Sequence, residues 1–214
     1  MVKTILFDMD GTLLDTEKWY QEGWRLAAEE LGYDLTEEQR LQFRSLGKPF
    51  NREKLKEMLG EEADYALLRS KRVEIMEPWF KERDIPVKPG AAETVSELRR
   101  RGYMTGVVTA TAKEKAEELL ERVNLLHLFD KIVCAPMVER GKPAPDVYLY
   151  ACSQLGIKPE DAIAVEDAPN GVKSAAEAGL KVVMIPDLTQ PDEETEKLLW
   201  KKLDTLAELL EEDI

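Results

Sequence analysis

Two aspartates near the start of the chain, Asp8 and Asp10, have a spacing and a setting suited to reactive carboxylates. They follow the apolar run 5–7, which predicts a short buried strand. Gly11 comes next and, because it lacks Cβ, allows the backbone to approach a ligand closely. Alternatively, the two aspartates could belong to a solvent-exposed turn, or cap a helix that begins near Thr16. We favour the chemical interpretation because the whole pattern Asp-x-Asp-Gly-Thr fits it.

A carboxylate in this position could attack the phosphorus of a phosphate monoester. That reaction brings two anions together, so it needs further groups that neutralise the charge of the carboxylate and of the substrate. In an open α/β sheet, ligands bind just beyond the carboxyl ends of the strands. The sequence places candidates for these groups at later strand ends.

The candidates for holding a phosphoryl group are Thr109, Ala110 and Lys142. Thr109 follows a predicted strand and offers a hydroxyl, while the backbone amides of Ala110 and Thr111 lie near a helix start, where a phosphate oxygen can bind. Lys142 lies in a stiff Gly-Lys-Pro loop that could point a fixed cation into the site. Taken singly, such a threonine is more often a helix cap and such a lysine a solvated surface charge.

Two adjacent acids, Glu166 and Asp167, extend the apolar strand predicted for residues 162–165. Adjacent buried acids are costly unless a cation compensates for their charge. Mg²⁺ is a hard cation that binds a few carboxylates together with water and substrate phosphate. These acids therefore predict a magnesium site.

Strands alternate with helices from residue 91 onward, which predicts an α/β fold with a parallel sheet and right-handed crossovers. We expect strands over 104–108, 131–135, 162–165 and 181–185, and helices over 91–101, 113–123, a segment that ends at 155, and 170–178. The strand at 181–185 is expected to be the last one. The charged tail 192–214 is expected to be a surface helix with an apolar stripe formed by Leu199, Leu203, Leu206 and Leu210.

Residues 16–88, by contrast, lack strand signals and are rich in Glu, Lys, Arg and Leu. Helical spacing and capping residues predict helices over 16–31, 36–47, 52–59 and 63–81. The segment 85–90 contains Pro and Gly and is typical of a linker. We therefore expect two domains, a catalytic core of residues 1–15 plus 89–214 and an all-helical cap of residues 16–88.

The composition and charge of the chain indicate which binding partners and which cellular location to expect. The chain has 214 residues and a net charge of −13, which disfavours binding to nucleic acid or to an anionic membrane. No apolar run reaches the length of a membrane span, and the chain leads straight into a strand rather than a signal peptide. We therefore expect a cytoplasmic protein whose Cys134 and Cys152 are free, buried thiols. A monomer is expected because no long exposed apolar stripe stands out.

Four segments of the chain resemble the four motifs of the haloacid dehalogenase superfamily, namely Asp8-Met9-Asp10-Gly11-Thr12, Thr109, Lys142 and Glu166-Asp167. The run from Val165 to Gly171 is especially similar to the phosphatase and β-phosphoglucomutase-like branch, in which a helical cap follows the first motif. The resemblance covers essentially the whole chain. It implies a Rossmann-like core with the first strand central, and bound Mg²⁺.

By this resemblance, Asp8 is the nucleophile that forms an aspartyl-phosphate, and Asp10 is the general acid and base. Mg²⁺ would be held by Asp8, the carbonyl of Asp10 and Asp167, with Glu166 nearby. The phosphoryl group would be held by Thr109 and Lys142. The acid at Asp10 argues against dehalogenase chemistry, in which the leaving group needs no proton.

The branch contains both hydrolases and mutases. In the β-phosphoglucomutase group, a histidine on the first cap helix assists proton transfer from the sugar hydroxyl, and Tyr20 occupies the matching position here. The cap has no histidine, so hydrolysis is favoured over a mutase reaction. A third alternative is a non-catalytic protein that binds phosphorylated metabolites, although binding alone would not need both Asp8 and Asp10.

A capped site fits small phosphorylated metabolites such as sugar phosphates. The candidates for recognising them are Tyr20, Trp24, Gly47 and Lys48. The two aromatic side chains could equally serve to pack the cap. Lys48 could meet a second anionic group or remain solvated.

Overall fold

The computed structural model describes residues 2–212, and within them six strands form one parallel sheet in the order β3-β2-β1-β4-β5-β6. The strands are β1 (Thr4–Phe7), β2 (Met104–Thr109), β3 (Lys131–Cys134), β4 (Ala162–Glu166), β5 (Lys181–Met184) and β6 (Lys201–Lys202). The prediction of an α/β fold with a Rossmann-like parallel sheet is confirmed. Since β1 lies between β2 and β4, the loop after it is central to the carboxyl edge of the sheet.

Helices flank the sheet and fill the connection between β1 and β2. They are α1 (Glu17–Glu30), α2 (Glu37–Leu41), α3 (Phe50–Leu59), α4 (Tyr65–Glu82), α5 (Ala91–Arg100), α6 (Lys113–Arg122), α7 (Asp146–Leu155), α8 (Pro169–Glu177) and α9 (Glu193–Glu196). Short 3₁₀ turns occur at Leu126–Leu128, Ala135–Met137, Pro159–Asp161 and Ala207–Leu210. No helix within residues 2–212 is long and apolar enough to cross a membrane.

The sheet is covered on both faces, as a parallel sheet requires. Ile5 and Phe7 of β1 belong to one buried apolar cluster, whereas Leu6 between them belongs to another. This division follows from the alternation of side chains along a strand. A third cluster lies among α1–α4 and includes Trp24 and Phe43. Both cysteines, Cys134 and Cys152, are free and buried, as expected.

The helices α1–α4 leave and rejoin the sheet through two segments that run side by side. The amide of Asp15 donates to the carbonyl of Pro86 over 2.8 Å, and that of Lys88 to the carbonyl of Leu13 over 2.9 Å. The division of the chain into a core of residues 1–15 plus 89–214 and a cap of residues 16–88 stays a prediction.

The prediction of a helical tail is wrong for most of its length, and Asp213 and Ile214 lie outside the described residues. Only α9 is helical, and β6 then pairs in parallel with Val183 and Met184, so β5 is not the last strand. The edge of β5 has backbone groups that need hydrogen-bond partners, and the tail supplies them. Leu203 and Leu206 belong to the apolar cluster that contains Ile5 and Phe7, and Leu210 packs against it. Leu199 packs against the other main cluster.

The second predicted helix is also shorter than expected. It begins at its Thr36 capping box as predicted, but ends at Leu41 rather than near residue 47. Residues 42–45 form turns, and Ser45 has a φ of +55°, which a continuing helix does not allow. As a result, residues 42–48 leave the helical region and reach the loops at the carboxyl edge of the sheet.

Candidate active site

The acids singled out in the sequence meet at the carboxyl edge of the sheet. Asp8 directly follows β1, Thr109 ends β2, and Glu166 ends β4. The amide of Asp8 donates to the carbonyl of Val165 over 2.9 Å, which fixes the first loop beside the fourth strand. Because β1 pairs with both β2 and β4, these side chains converge.

Lys142 reaches this point from the loop before α7 and is fully buried. Its Nζ donates to Asp8 Oδ1 and to Glu166 Oε1, over 2.6 Å each, and to the carbonyl of Val108 over 2.9 Å. Burial lowers the pKa of Lys142, but the charges of Asp8 and Glu166 outweigh it and hold that pKa above its usual value. Lys142 is therefore a permanent buried cation between two carboxylates.

Asp10 is held by two hydroxyl groups. Thr16 Oγ1 donates to Asp10 Oδ1 over 2.6 Å, and Thr111 Oγ1 donates to Asp10 Oδ2 over 2.9 Å. Burial raises the pKa of Asp10 to about 6; these hydrogen bonds oppose the rise and the charge of Asp8 adds to it. A carboxyl group with such a pKa can both give and take a proton near neutrality.

Three carboxylates, those of Asp8, Glu166 and Asp167, can each bring one oxygen within 4.8 Å of the others. Burial raises the pKa of all three. Among residues 2–212, Glu166 Oε2 and Asp167 Oδ1 are buried and have no hydrogen-bond partner. Buried oxygens of this kind are costly unless a cation binds them. The donor set therefore fits a hard divalent cation such as Mg²⁺.

Gly11 allows this cluster to form. Its φ of +90° is one that residues with a Cβ rarely adopt, and a Cβ there would collide with the carboxylate of Asp167. The sequence pattern predicted a close approach of the backbone to a ligand, whereas the close contact seen here is with Asp167.

Two of the three groups predicted to hold a phosphoryl group, Thr109 and Ala110, line one cavity of about 730 Å³ together with Asp8 and Asp10. Thr109 and Ala110 lie on its wall, but the amide of Thr111 is already taken, since it donates to Thr109 Oγ1 over 3.0 Å. Lys142 lies behind Asp8 rather than on the cavity wall.

The four candidates for substrate recognition within residues 16–88 also line this cavity, namely Tyr20, Trp24, Gly47 and Lys48. Gly47 lies against Gly141 so closely that a Cβ would clash with it, and its amide donates to the carbonyl of Lys142 over 2.7 Å. Lys48 is exposed. Tyr20 and Trp24 both contact the guanidinium of Arg72, which lies 5.0 Å and 4.1 Å from the centres of their rings.

Several contributors were not predicted from sequence, namely Arg44, Glu17, Tyr148 and the hydroxyl groups of Thr16 and Thr111. For Thr111, only the backbone amide was expected to contribute. Tyr148 is buried in α7, and its hydroxyl donates to Glu166 Oε1. Arg44 is buried and forms an ion pair with Asp167. Tyr148 had one sequence signal, because it is a polar side chain in the run Asp-Val-Tyr-Leu-Tyr-Ala-Cys, whereas Arg44 lies in a charged region.

Comparison with known proteins places this arrangement in a family. The model of the haloacid dehalogenase-like hydrolases matches residues 5–185. Protein CbbY of Cereibacter sphaeroides is 32% identical over 222 residues, which cover 98% of this chain and 94% of that protein. A phosphorylated carbohydrates phosphatase of Thermotoga maritima is 32% identical over 182 residues, which cover 84% of this chain and 83% of that protein.

A solved structure extends the likeness to three dimensions. The crystal structure of a CbbY variant from Rhodobacter sphaeroides, in complex with xylulose-(1,5)bisphosphate, matches with a TM-score of 0.80 at 30% identity. The match covers 98% of this chain and 96% of that one. The fold, the order of the motifs along the chain and the family match agree, and the chain belongs to the haloacid dehalogenase-like hydrolases.

Proposed function

We propose that the protein is a Mg²⁺-dependent phosphatase that hydrolyses phosphomonoesters of small metabolites through a phosphoryl group carried on Asp8. The observation that carries this proposal is the position of Lys142, whose Nζ pairs with both Asp8 and Glu166, while Asp10 lies two residues beyond Asp8. This is the charge arrangement that lets a carboxylate approach a phosphate.

In the proposed reaction, a carboxylate oxygen of Asp8 forms a bond to phosphorus, and the bond from phosphorus to the leaving oxygen breaks. Asp10 gives its proton to that oxygen, so the product leaves as an alcohol. Asp10, now ionised, then takes a proton from a water molecule that attacks the phosphorus. The bond to Asp8 breaks, inorganic phosphate forms, and Asp10 regains its proton.

Asp8, the carbonyl of Asp10 and Asp167 are the groups proposed to hold the metal, with Glu166 nearby. When bound, Mg²⁺ supplies positive charge that offsets the charge of the phosphoryl group. Thr109 and Ala110 on the cavity wall are proposed to contact the phosphoryl oxygens. Lys142 is proposed to act on the phosphoryl group indirectly, by pairing with Asp8, because Lys142 does not line the cavity.

The residues 16–88 are proposed to form a cap that selects the substrate. Four cations line the cavity and form no ion pair among the described residues, namely Lys48, Arg52, Arg69 and Arg72. They would suit a substrate that carries a second anionic group, such as a phosphorylated sugar. CbbY was crystallised with such a bisphosphate, and the Thermotoga relative is named for phosphorylated carbohydrates.

The test is a screen of phosphorylated metabolites that follows both released phosphate and isomerised sugar phosphate. We expect phosphate release that stops when a chelator removes Mg²⁺ and returns when the metal is restored. With β-glucose 1-phosphate, we expect free phosphate rather than glucose 6-phosphate, because Tyr20 replaces the histidine of the mutases.

Two other results would favour the alternatives. Conversion of β-glucose 1-phosphate to glucose 6-phosphate would show a mutase. Failure to release phosphate from any member of a broad panel, with or without Mg²⁺, would favour a binding protein.

A further inference from the structure

Arg44 is a buried cation that the proposed reaction does not use, and it comes from the segment after α2 rather than from the sheet. Its side chain is 2% exposed. Nη2 donates to Asp167 Oδ2 over 2.9 Å and to the Asp167 carbonyl over 2.8 Å, and Nη1 donates to Thr189 Oγ1 over 3.0 Å. One guanidinium thus fixes both the side chain and the main chain of Asp167.

This contact leaves part of Asp167 available. Arg44 engages Oδ2, while Oδ1 is buried and has no partner among residues 2–212. The surroundings can accept a further cation, because among residues 2–212 five buried carboxyl groups lie near two buried cations, Lys142 and Arg44, and the half-buried Arg72. The acids are Asp8, Asp10, Glu17, Glu166 and Asp167.

The segment that carries Arg44, residues 42–48, is docked on the core at several other points. Asn170 Nδ2 donates to the Arg44 carbonyl over 2.8 Å and to the Gln42 carbonyl over 3.2 Å. The amide of Gly141 donates to the carbonyl of Lys48 over 2.8 Å. Asn170 is only three residues beyond Asp167, so the docking surface adjoins the acid cluster.

We propose that Arg44 is a positioning residue that couples metal binding at Asp167 to the docking of segment 42–48 on the core. The inference rests on the proposed function only in taking Asp167 as a metal ligand. The Arg44 guanidinium on Oδ2 and a metal held by the same carboxylate would together restrict Asp167 to one orientation, so each would lower the ordering cost of the other. By reciprocity, the metal tightens the docking of the segment.

The experiment uses the full chain without substrate. Mg²⁺ affinity is measured by titration calorimetry, and hydrogen exchange of segment 42–48 is measured by mass spectrometry with and without saturating Mg²⁺. We expect Arg44→Met to weaken Mg²⁺ binding by about tenfold. In the wild type, Mg²⁺ should slow exchange in the segment, and in Arg44→Met this slowing should be lost.

Two further variants keep the test decisive even if Arg44→Met unfolds. Thr189→Val removes a partner of Arg44 without altering Asp167, and should weaken Mg²⁺ binding in the same direction by a smaller factor. Arg40→Met is the matched control, because Arg40 donates to the Leu35 carbonyl and not to the site. Its Mg²⁺ affinity should equal that of the wild type.

Unchanged Mg²⁺ affinity in Arg44→Met, or in Thr189→Val if Arg44→Met does not fold, would overturn the proposal. Tighter binding would also overturn it, since the guanidinium would then compete with the metal. If Mg²⁺ slowed hydrogen exchange in segment 42–48 but the protein released no phosphate from any substrate, the proposed function would be wrong and the coupling would still hold.

Discussion

Asp8→Asn should lower kcat for phosphate release by about four orders of magnitude or more, while the protein stays folded. The amide that replaces the carboxylate is a poor nucleophile, so no phosphoryl group can be transferred to residue 8. Asn is nearly isosteric with Asp, and Glu166 remains as an anionic partner for Lys142. The check is steady-state kinetics on the best substrate of the screen, together with circular dichroism.

The matched control is Asp15→Asn in the same loop. Asp15 pairs with Lys18 and Lys88 rather than with Lys142, and its side chain is 28% exposed. We expect this variant to keep near-wild-type turnover. Wild-type-like activity in Asp8→Asn would refute the assignment of Asp8 as nucleophile.

Lys142→Met should damage both stability and catalysis. Removing the cation leaves Asp8 and Glu166 buried without compensation, and breaking a buried pair in this way costs about 3–5 kcal/mol of unfolding free energy. Turnover should fall by about 10²–10³, because Asp8 then faces the phosphate without its fixed counter-charge. Urea unfolding measures the first effect and initial-rate kinetics the second.

The control for this variant is Lys113→Met. Lys113 is 52% exposed and lies 3.6 Å from Glu117 on the same helix. Its loss should change the unfolding free energy by less than about 1 kcal/mol. If Lys142→Met proved as stable and as active as Lys113→Met, Lys142 would have no part in the charge balance of the site.

The core of the fold could be read from local patterns. The short apolar runs of β1, β2 and β4 are bounded by polar or turn residues, and such runs predict buried parallel strands. The site followed from the same reasoning, because the ends of neighbouring parallel strands must meet. Asp8, Thr109 and Glu166 lie at those ends, and the central position of β1 that brings them together was implied by the family resemblance.

The tail and the missed residues depended on contacts that no local pattern encodes. Leu203 and Leu206 have helical spacing, but the open edge of β5 offered the tail a better set of backbone hydrogen bonds. Arg44 is one of many arginines in a charged region, and only its contact with Asp167, 123 residues away, distinguishes it. Tyr148 likewise gains its role from Glu166, which lies on another element.

The most direct test of the account is to trap the phosphoryl group during turnover. Borohydride reduces an acyl phosphate on aspartate to homoserine. The peptide that contains Asp8 should therefore become lighter by the mass difference between aspartate and homoserine. We predict this change at Asp8 in the presence of substrate and Mg²⁺, and no change at Asp10 or in Asp8→Asn. Phosphate release at full rate with an unmodified Asp8 peptide would contradict the central claim.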